Sequence, residues 1–298
     1  MADTTSRFSH ASIWLLRLAT FASGSTVFLL DDRLDELSKD AALLGTIALW
    51  ATWALILLCV LVPSSVALTG IRLLAPVHLA ITGIVTIGDL GDRPSTLTIV
   101  AVVPTFLTVL SAFSAEVGTE FVQSSAYGDE TRIPLLPPIP FLTVLVTSWV
   151  LWVASGIVGS LALTREAWVA GGILVAVTVA LTAILPPRFH RFSRRWIVIV
   201  PAGLVVHDHV VLAETAMFTR TTIRSVTSTR RDDDAADLSG RRGGTGVEVQ
   251  LTDFETVVLA ATPSTPGGSA LHVKTFWVRP SRPGRLISAW SRRRSSSS

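Results

Sequence analysis

The feature that most constrains this chain is a series of long apolar segments between Ala41 and Leu185, which ends at Pro186-Pro187. A helix needs about 20 consecutive apolar residues to cross the hydrocarbon core of a bilayer. The mean hydropathy of +0.55 and the charged fraction of only 16% are typical of a membrane protein. The sequence therefore predicts a membrane helical bundle over residues 1–187 and a second, soluble domain over residues 188–298.

The membrane domain is predicted to contain about six spans. Arg17 interrupts the first apolar segment, which either crosses the membrane or lies in its interface as an amphipathic helix. In the second case five spans remain. The predicted spans lie near residues 12–30, 41–62, 68–88, 95–115, 139–163 and 167–185.

The charge distribution indicates the orientation of the chain. Arginines cluster directly after the last apolar segment, and such clusters hold a span end on the cytoplasmic side. Residues 188–298 carry 17 basic and 9 acidic side chains, a net charge of +8. We therefore expect a multi-pass protein of the inner (plasma) membrane with a cytoplasmic C-terminus.

Residues 188–298 alternate between apolar and polar positions as β-strands do. The pattern predicts strands at 196–201, 204–210, 216–226 and 271–278, a hairpin formed by 247–251 and 256–261, and a helix at 280–294. The polar stretch 227–246 is predicted to be a mobile loop, and the terminal serines are predicted to be disordered. We expect residues 196–294 to fold without the membrane domain.

Three pieces of this tail carry a resemblance to a known fold. WIVIVPAGLVVHD, AMFTRTTIRSV and HVKTFWVRPSRPGRLISAW form a strand meander that one C-terminal helix closes. This arrangement resembles the pleckstrin-homology-like (PH-like) domains of bacterial membrane proteins. The whole chain also resembles an actinobacterial family of multi-pass membrane proteins of unassigned function, through VQSSAYGDETRIPL and RRWIVIVPAGLVVHDHVVLAE. The resemblance implies no catalytic residues.

A set of basic side chains and one tryptophan are the candidate contacts with the membrane surface or with a protein partner. The arginines either bind anionic lipid headgroups or serve only as a topology signal. The tryptophan either packs on the sheet or inserts into the membrane interface. The candidates are Arg188, Arg191, Arg194, Arg195, Arg282, Arg285, Arg292, Arg293, Arg294 and Trp290.

Polar groups within or beside the spans are a second class of candidates. His78 and Arg72 lie in one apolar segment, and ionisable groups inside a membrane are often functional. Glu116 and Glu120 are four residues apart in the largest loop, at a spacing that suits acid-base chemistry, cation binding or simply a solvated helix.

A metal site and a cofactor site have little support in the sequence. His207 and His209 alternate along a strand, and His272 is the only further ligand that we identify for them. Exposed imidazoles explain the same pattern. We therefore predict no metal and no cofactor, and no nucleic-acid motif interleaves aromatic residues with the arginines.

These features favour a non-enzymatic membrane scaffold or regulatory protein. Its partners would be the lipid bilayer, including anionic headgroups, or another protein. The small residues Ser155, Gly156, Gly159 and Ser160 suit close helix packing, either within the chain or in a homo-oligomer. The alternative function is a transporter, or a transporter subunit, that uses the helix bundle.

Overall fold

The computed structural model describes residues 2–87, 95–230, 235–240, 244–261 and 265–295, with side chains from residue 11 onward. The chain forms two compact units. The first comprises Met1–Phe121 and Leu145–Phe189, and the second comprises Val122–Val144 and His190–Ser298. The second unit is therefore discontinuous in sequence.

The first unit is built from helices. The described helices before the β-strands of the tail are α1 (Ala2–Ser23), α2 (Thr26–Leu29), α3 (Asp31–Asp35), α4 (Lys39–Leu61), α5 (Ser65–Thr86), α6 (Thr96–Ala112), α7 (Ala115–Gln123), α8 (Ile139–Thr164) and α9 (Trp168–Ser193). A short strand, β1 (Thr131–Pro134), lies between α7 and α8.

Within the described part of the chain, five helical segments are long and apolar enough to cross a membrane. These include Ala11–Leu29, which is α1 continued through a break at Gly24 into α2, together with α4, α5, α8 and α9. Helices α6 and α7 are bent by 61° and would count as a sixth span if they are taken together. The predicted helical membrane domain is confirmed at this level. Residue 88, the predicted end of the third span, lies outside the described residues.

Serine side chains set the starts of three of these helices. Ser38, Ser64 and Ser95 each accept a hydrogen bond from a backbone N–H three residues ahead. A serine in this position satisfies one of the amides that have no partner in the first turn of a helix. The polar residues between the apolar segments thus define where α4, α5 and α6 begin.

Small side chains let α8 and α9 approach closely. A Cβ atom on Gly159 would lie 2.9 Å from Leu174 and 3.1 Å from the backbone nitrogen of Val175. Ser155 and Thr178 share a hydrogen bond of 2.9 Å nearby. The small residues of α8 therefore pack within the chain, as one of the two alternatives predicts.

The second unit contains two four-stranded sheets and a helix. Its strands are β2 (Trp196–Val200), β3 (Gly203–His207), β4 (Ala216–Thr219), β5 (Ile223–Arg230), β6 (Ala236–Asp237), β7 (Thr245–Leu259) and β8 (Ser269–Val278), and its helix is α10 (Pro283–Ser295). One sheet has the order β1-β2-β3-β4 and the other has the order β5-β7-β8-β6. The predicted β-rich domain with a C-terminal helix is confirmed.

Strand β1 does not come from the tail. It lies in the loop between α7 and α8 and pairs antiparallel with β2, so that Ile133 faces Ile197 across the two strands. Ile133 is fully buried in the core of the second unit. The predicted domain boundary at residue 188 is therefore incomplete, because the loop supplies an edge strand. If α8 and α9 cross a membrane, they cross it as a pair and return to the same side.

Three strand predictions need correction. Residues 216–226 form β4 and β5 in different sheets, because Arg220–Thr222 turn the chain. Residues 247–251 and 256–261 do not form a hairpin, since β7 continues through an irregularity between Gln250 and Glu255. Residues 227–246 are not all a loop, because β5, β6 and β7 extend into them. Residues 231–234, 241–243 and 296–298, which include the predicted disordered terminus, lie outside the described residues.

The core of the second unit joins both sheets to α10. Phe218 of the first sheet stacks on Phe276 of the second, with ring centroids 4.4 Å apart. Leu286 and Trp290 of α10 are buried against this core. Trp290 thus packs on the sheets, which is the first of its two predicted roles.

Because its core is discontinuous in sequence, the second unit can be produced alone only if the loop that carries β1 is included. Residues 188–298 lack β1 and should leave the edge of β2 and the apolar core exposed. The rings of Phe141 in α8 and Phe192 in α9 lie 5.9 Å apart, so a short glycine-serine linker can replace the residues between them. We expect the fusion of residues 122–142 to residues 191–295 to unfold cooperatively in urea.

The tail alone is the matched control and should show no cooperative transition. Equal stability of the two proteins would contradict the assignment of β1 to this domain.

Candidate functional site

A buried ion pair lies where the last helix of the membrane domain enters the β domain. Arg195 and Asp208 are both fully buried, and two parallel hydrogen bonds of 2.7 Å join them. Arg195 also donates to the carbonyl oxygens of Leu136 and Ser239. Asp208 accepts from the backbone N–H of Val210 and so shapes the turn after β3. The prediction of a surface contact does not fit Arg195, because its guanidinium is enclosed and paired.

Aromatic and cationic side chains stack beside this pair. The guanidinium of Arg132 lies 5.2 Å from the ring centroid of Trp196. The Trp196 ring stacks on His207 at 5.1 Å, and His207 meets the edge of His209 at 4.2 Å. Thr215 shares a 3.1 Å hydrogen bond with Nδ1 of His207. The loop strand and the tail thus contribute to one continuous stack.

The protonation of His207 follows from its surroundings. Burial, together with the nearby positive groups His209, Arg194 and Arg132, lowers the pKa of this imidazole to about 4, against the opposing effect of Asp208. The imidazole is therefore neutral at neutral pH. The neutral ring packs in the stack and carries no charge with which to bind an anion directly.

The described residues contain no group of three or more His, Cys, Asp or Glu side chains that could hold a metal ion. His272 is bonded to Thr256, at 2.9 Å from its hydroxyl oxygen, on the paired strands β7 and β8. Only His207 and His209 of the three predicted ligands come together. This geometry supplies two imidazoles where a zinc site normally needs four ligands.

The other basic candidates lie in three environments: paired with the loop, half-buried, or exposed. Arg293 binds Asp129 of the loop, with its Nη2 atom 2.6 Å from the carboxylate. Arg282 and Arg285 are half-buried at the start of α10, and Trp290 is buried. The exposed members of the set are Arg188, Arg191, Arg194, Arg292 and Arg294.

Arg72 lies at the bend between α6 and α7. Its Nε donates to the carbonyl oxygen of Ala112, at the last residue of α6, over 3.1 Å. Its guanidinium also lies against Gly118 of α7, where an added Cβ would come within 2.9 Å of it. A cation at a helix C-terminus satisfies a carbonyl and complements the helix dipole. Arg72 therefore stabilises the bend.

Glu116 and Glu120 are one turn apart on α7 and half-buried. Both carboxylates have interaction partners in the folded chain. Their spacing agrees with the sequence, and α7 carries them as a short amphipathic helix at the end of α6.

His78, a residue of α5, lies beside the break that interrupts the first apolar segment after Ser23. Its Nδ1 is 2.8 Å from the hydroxyl of Thr52, and its ring lies beside the backbone of Ser23, the last residue of α1. Its Nε2 atom and the hydroxyl of Thr20 are buried, and neither has a hydrogen-bond partner among the described residues. Trp53 donates to the carbonyl of Thr20 at 2.9 Å. His78 thus joins three helices around the C-terminal end of α1.

Sequence reasoning missed Asp208 and Arg132 as structurally important residues. Asp208 lies between two histidines that drew attention to metal binding, although a lone acidic residue in an apolar strand region indicates a buried partner. Arg132 precedes a proline-rich run that resembles a linker. Neither residue has a local pattern that indicates its long-range partner.

Comparison of the chain with known protein families, with curated proteins and with solved structures finds no match.

The buried pair gives a direct test of the domain's architecture. Asp208→Asn should lower the free energy of unfolding by about 3–5 kcal/mol, because the charge of Arg195 then stays buried without a counter-ion. Urea unfolding of the fused domain, residues 122–142 joined to residues 191–295, measures this loss.

Arg194→Gln is the matched control, since it removes an adjacent but exposed arginine and should change stability by less than about 0.5 kcal/mol. Similar midpoints for the two variants would show that the pair is not a central contact.

Proposed function

We propose that this protein is a non-enzymatic membrane scaffold or regulator whose cytoplasmic β domain binds anionic lipid headgroups. The observation that carries the proposal is the exposure of Arg191, Arg194, Arg292 and Arg294 on a domain into which α9 leads directly. Arg195 is buried and paired, so it does not add to this exposed charge.

The PH-like fold is part of this proposal. It is supported by two four-stranded sheets in which most neighbouring strands are antiparallel. The sheets stack at Phe218 and Phe276, and one C-terminal helix packs on their shared core.

The orientation of the chain in the membrane is also part of this proposal. The arginines after α9 favour the cytoplasm for the tail, and the pairing of β1 with β2 puts the loop on the same side as the tail.

The physical reason for lipid binding is electrostatic. Each arginine near an anionic membrane surface contributes about 1 kcal/mol, and salt screens the attraction beyond about 10 Å at 0.1 M. A net charge of +8 over residues 188–298 is sufficient for measurable attraction without a specific pocket.

A vesicle assay tests the proposal. The fused domain should co-sediment with vesicles that contain phosphatidylglycerol and should be released as salt is raised. Arg292→Gln with Arg294→Gln should weaken binding by about fivefold for each charge. Trp290→Ala should instead unfold the domain, with a loss of about 3–5 kcal/mol, because its ring is buried.

Equal binding to phosphatidylcholine and to phosphatidylglycerol, or no binding to either, would contradict the proposal. A protein partner would then be the better explanation for the basic surface.

A second candidate function is transport, and the break in the first apolar segment favours it. Transporters place substrate and ion sites at discontinuous helices, where helix ends leave carbonyl groups available. Here the end of α1 at Ser23 lies beside the buried His78 inside the helical unit. A proton is the simplest ligand for the unpaired Nε2.

Reconstituted liposomes with an entrapped pH-sensitive dye test this function. The full-length protein should dissipate an imposed pH gradient faster than the His78→Gln variant. A His272→Gln variant, which changes an exposed histidine of the β domain, is the control and should behave like the wild type. Proton flux no faster than in protein-free liposomes would contradict transport of protons.

A further inference from the structure

The only tyrosine of the chain is almost completely exposed. The Tyr127 side chain is 90% accessible to solvent, at the tip of the loop between α7 and α8. Tyrosine combines a large apolar ring with a polar hydroxyl, and for this reason it is enriched where membranes meet water. Its high exposure is therefore informative about what this loop contacts.

The turn that carries Tyr127 is held in place. Its backbone N–H donates to Oε1 of Glu130 over 2.5 Å, and that carboxylate also lies 2.6 Å from Arg132. Gln123 donates to the carbonyl of Glu130 and accepts from the backbone N–H of Arg132. The ring is thus presented by a braced turn, which lowers the entropy lost when it binds a surface.

The same turn is joined to the arginine run of α10. Arg293 donates through Nη2 to the backbone carbonyl of Asp129, at 2.5 Å, and to its carboxylate, at 2.6 Å. Arg292 and Arg294 project on either side of Arg293 along the helix and are exposed. We call Tyr127, Arg292 and Arg294 the Tyr127 patch.

The chain keeps this patch near the ends of the apolar helices. Tyr127 is four residues beyond the end of α7 at Gln123, a maximum reach of about 14 Å at about 3.5 Å per residue. Ile139, the start of α8, is 12 residues further along. Tyr127 is therefore tethered by short stretches of chain to the end of α7 and the start of α8.

We propose that the Tyr127 patch docks on the anionic lipid surface, with the ring in the headgroup region and the two arginines on lipid phosphates. The inference rests on the proposed function and specifies the part of the β domain that makes the contact. Charge complementarity and an aromatic ring of the interfacial type argue for lipid as the occupant. Arg293, which holds the loop on α10, has a positioning role.

A single-site spectroscopic probe can test this inference in the intact protein. Because the chain has one tyrosine, labelling with 3-fluorotyrosine gives one fluorine resonance for the full-length protein in nanodiscs. In discs that contain phosphatidylglycerol, this resonance should shift and broaden when paramagnetic headgroup lipid is added. In phosphatidylcholine discs it should instead be broadened by a soluble paramagnetic agent.

Variants separate the patch from general charge. Arg292→Gln with Arg294→Gln should return the resonance to its position in neutral discs. Arg230→Gln with Lys274→Gln removes the same charge from exposed positions on β5 and β8, and should leave the shift unchanged. Arg293→Gln should release the turn and reduce the lipid-dependent broadening even where the β domain stays folded, as judged from its amide spectrum.

An identical resonance in neutral and anionic discs would overturn the inference, as would an equal response in the two double variants. A shift that appears only when a soluble protein is added would overturn it in favour of a protein partner. If the fused domain binds anionic vesicles while the Tyr127 resonance is unaffected, the patch is wrong and the proposed function stands. If neither responds to anionic lipid, both fail.

Discussion

The second unit depends on the burial of one arginine. Moving two charges out of water costs several kcal/mol for each ion, and the cost is recovered only when good geometry and additional hydrogen bonds satisfy the pair. Arg195 meets this condition through two bonds to Asp208 and one each to the carbonyls of Leu136 and Ser239. It thereby connects four segments that are distant in sequence. Leaving any one of them out exposes a buried charge or an unpaired carbonyl.

This constraint explains why the β domain is discontinuous. Leu136 reaches Arg195 only because β1 pairs with β2, so the loop and the tail become one folding unit. Helices α8 and α9 form a hairpin inserted between β1 and β2, and their outer ends meet at Phe141 and Phe192. Folding must therefore bring together segments separated by about 60 residues, and loop closure of that kind is slow compared with helix formation. We expect the helical hairpin to form first and to bring β1 to β2.

The helical part of this fold could be predicted from sequence because its signal is local. Apolar runs and serine caps determine where α4, α5, α8 and α9 lie, and each run can be read without knowledge of the others. Strand β1 could not be found in this way, since its four residues end in Pro134 and pair with a segment beyond two helices. Proline is tolerated at such an edge position, where no ladder hydrogen bond from its nitrogen is needed.

The candidate residues show the same limit. Arg195 and Arg194 are adjacent and identical in sequence context, yet one is buried in an ion pair and the other is exposed. Trp290 could be assigned either to packing or to insertion, and only the positions of both sheets decide between them. In the sequence, the irregular part of β7 resembles a hairpin turn, because Asp253 and Glu255 flank a single aromatic residue. In each case the missing information is the identity of a partner far along the chain.

The polar groups of the helical unit have one physical origin. A helix that ends inside an apolar environment leaves backbone carbonyls without partners, and each costs several kcal/mol unless a donor is supplied. At the end of α6 this donor is Arg72, and at the end of α1 it is Trp53, with His78 beside the backbone of Ser23. Helices α1 and α6 pack on each other within the helical unit. Arg72 is fully explained by its structural role. His78 is not, because its buried Nε2 has no well-formed hydrogen bond among the described residues, and a structural histidine normally uses both ring nitrogens. Of the two ionisable residues that stand out in this apolar segment, His78 is therefore the one at which a function should be sought.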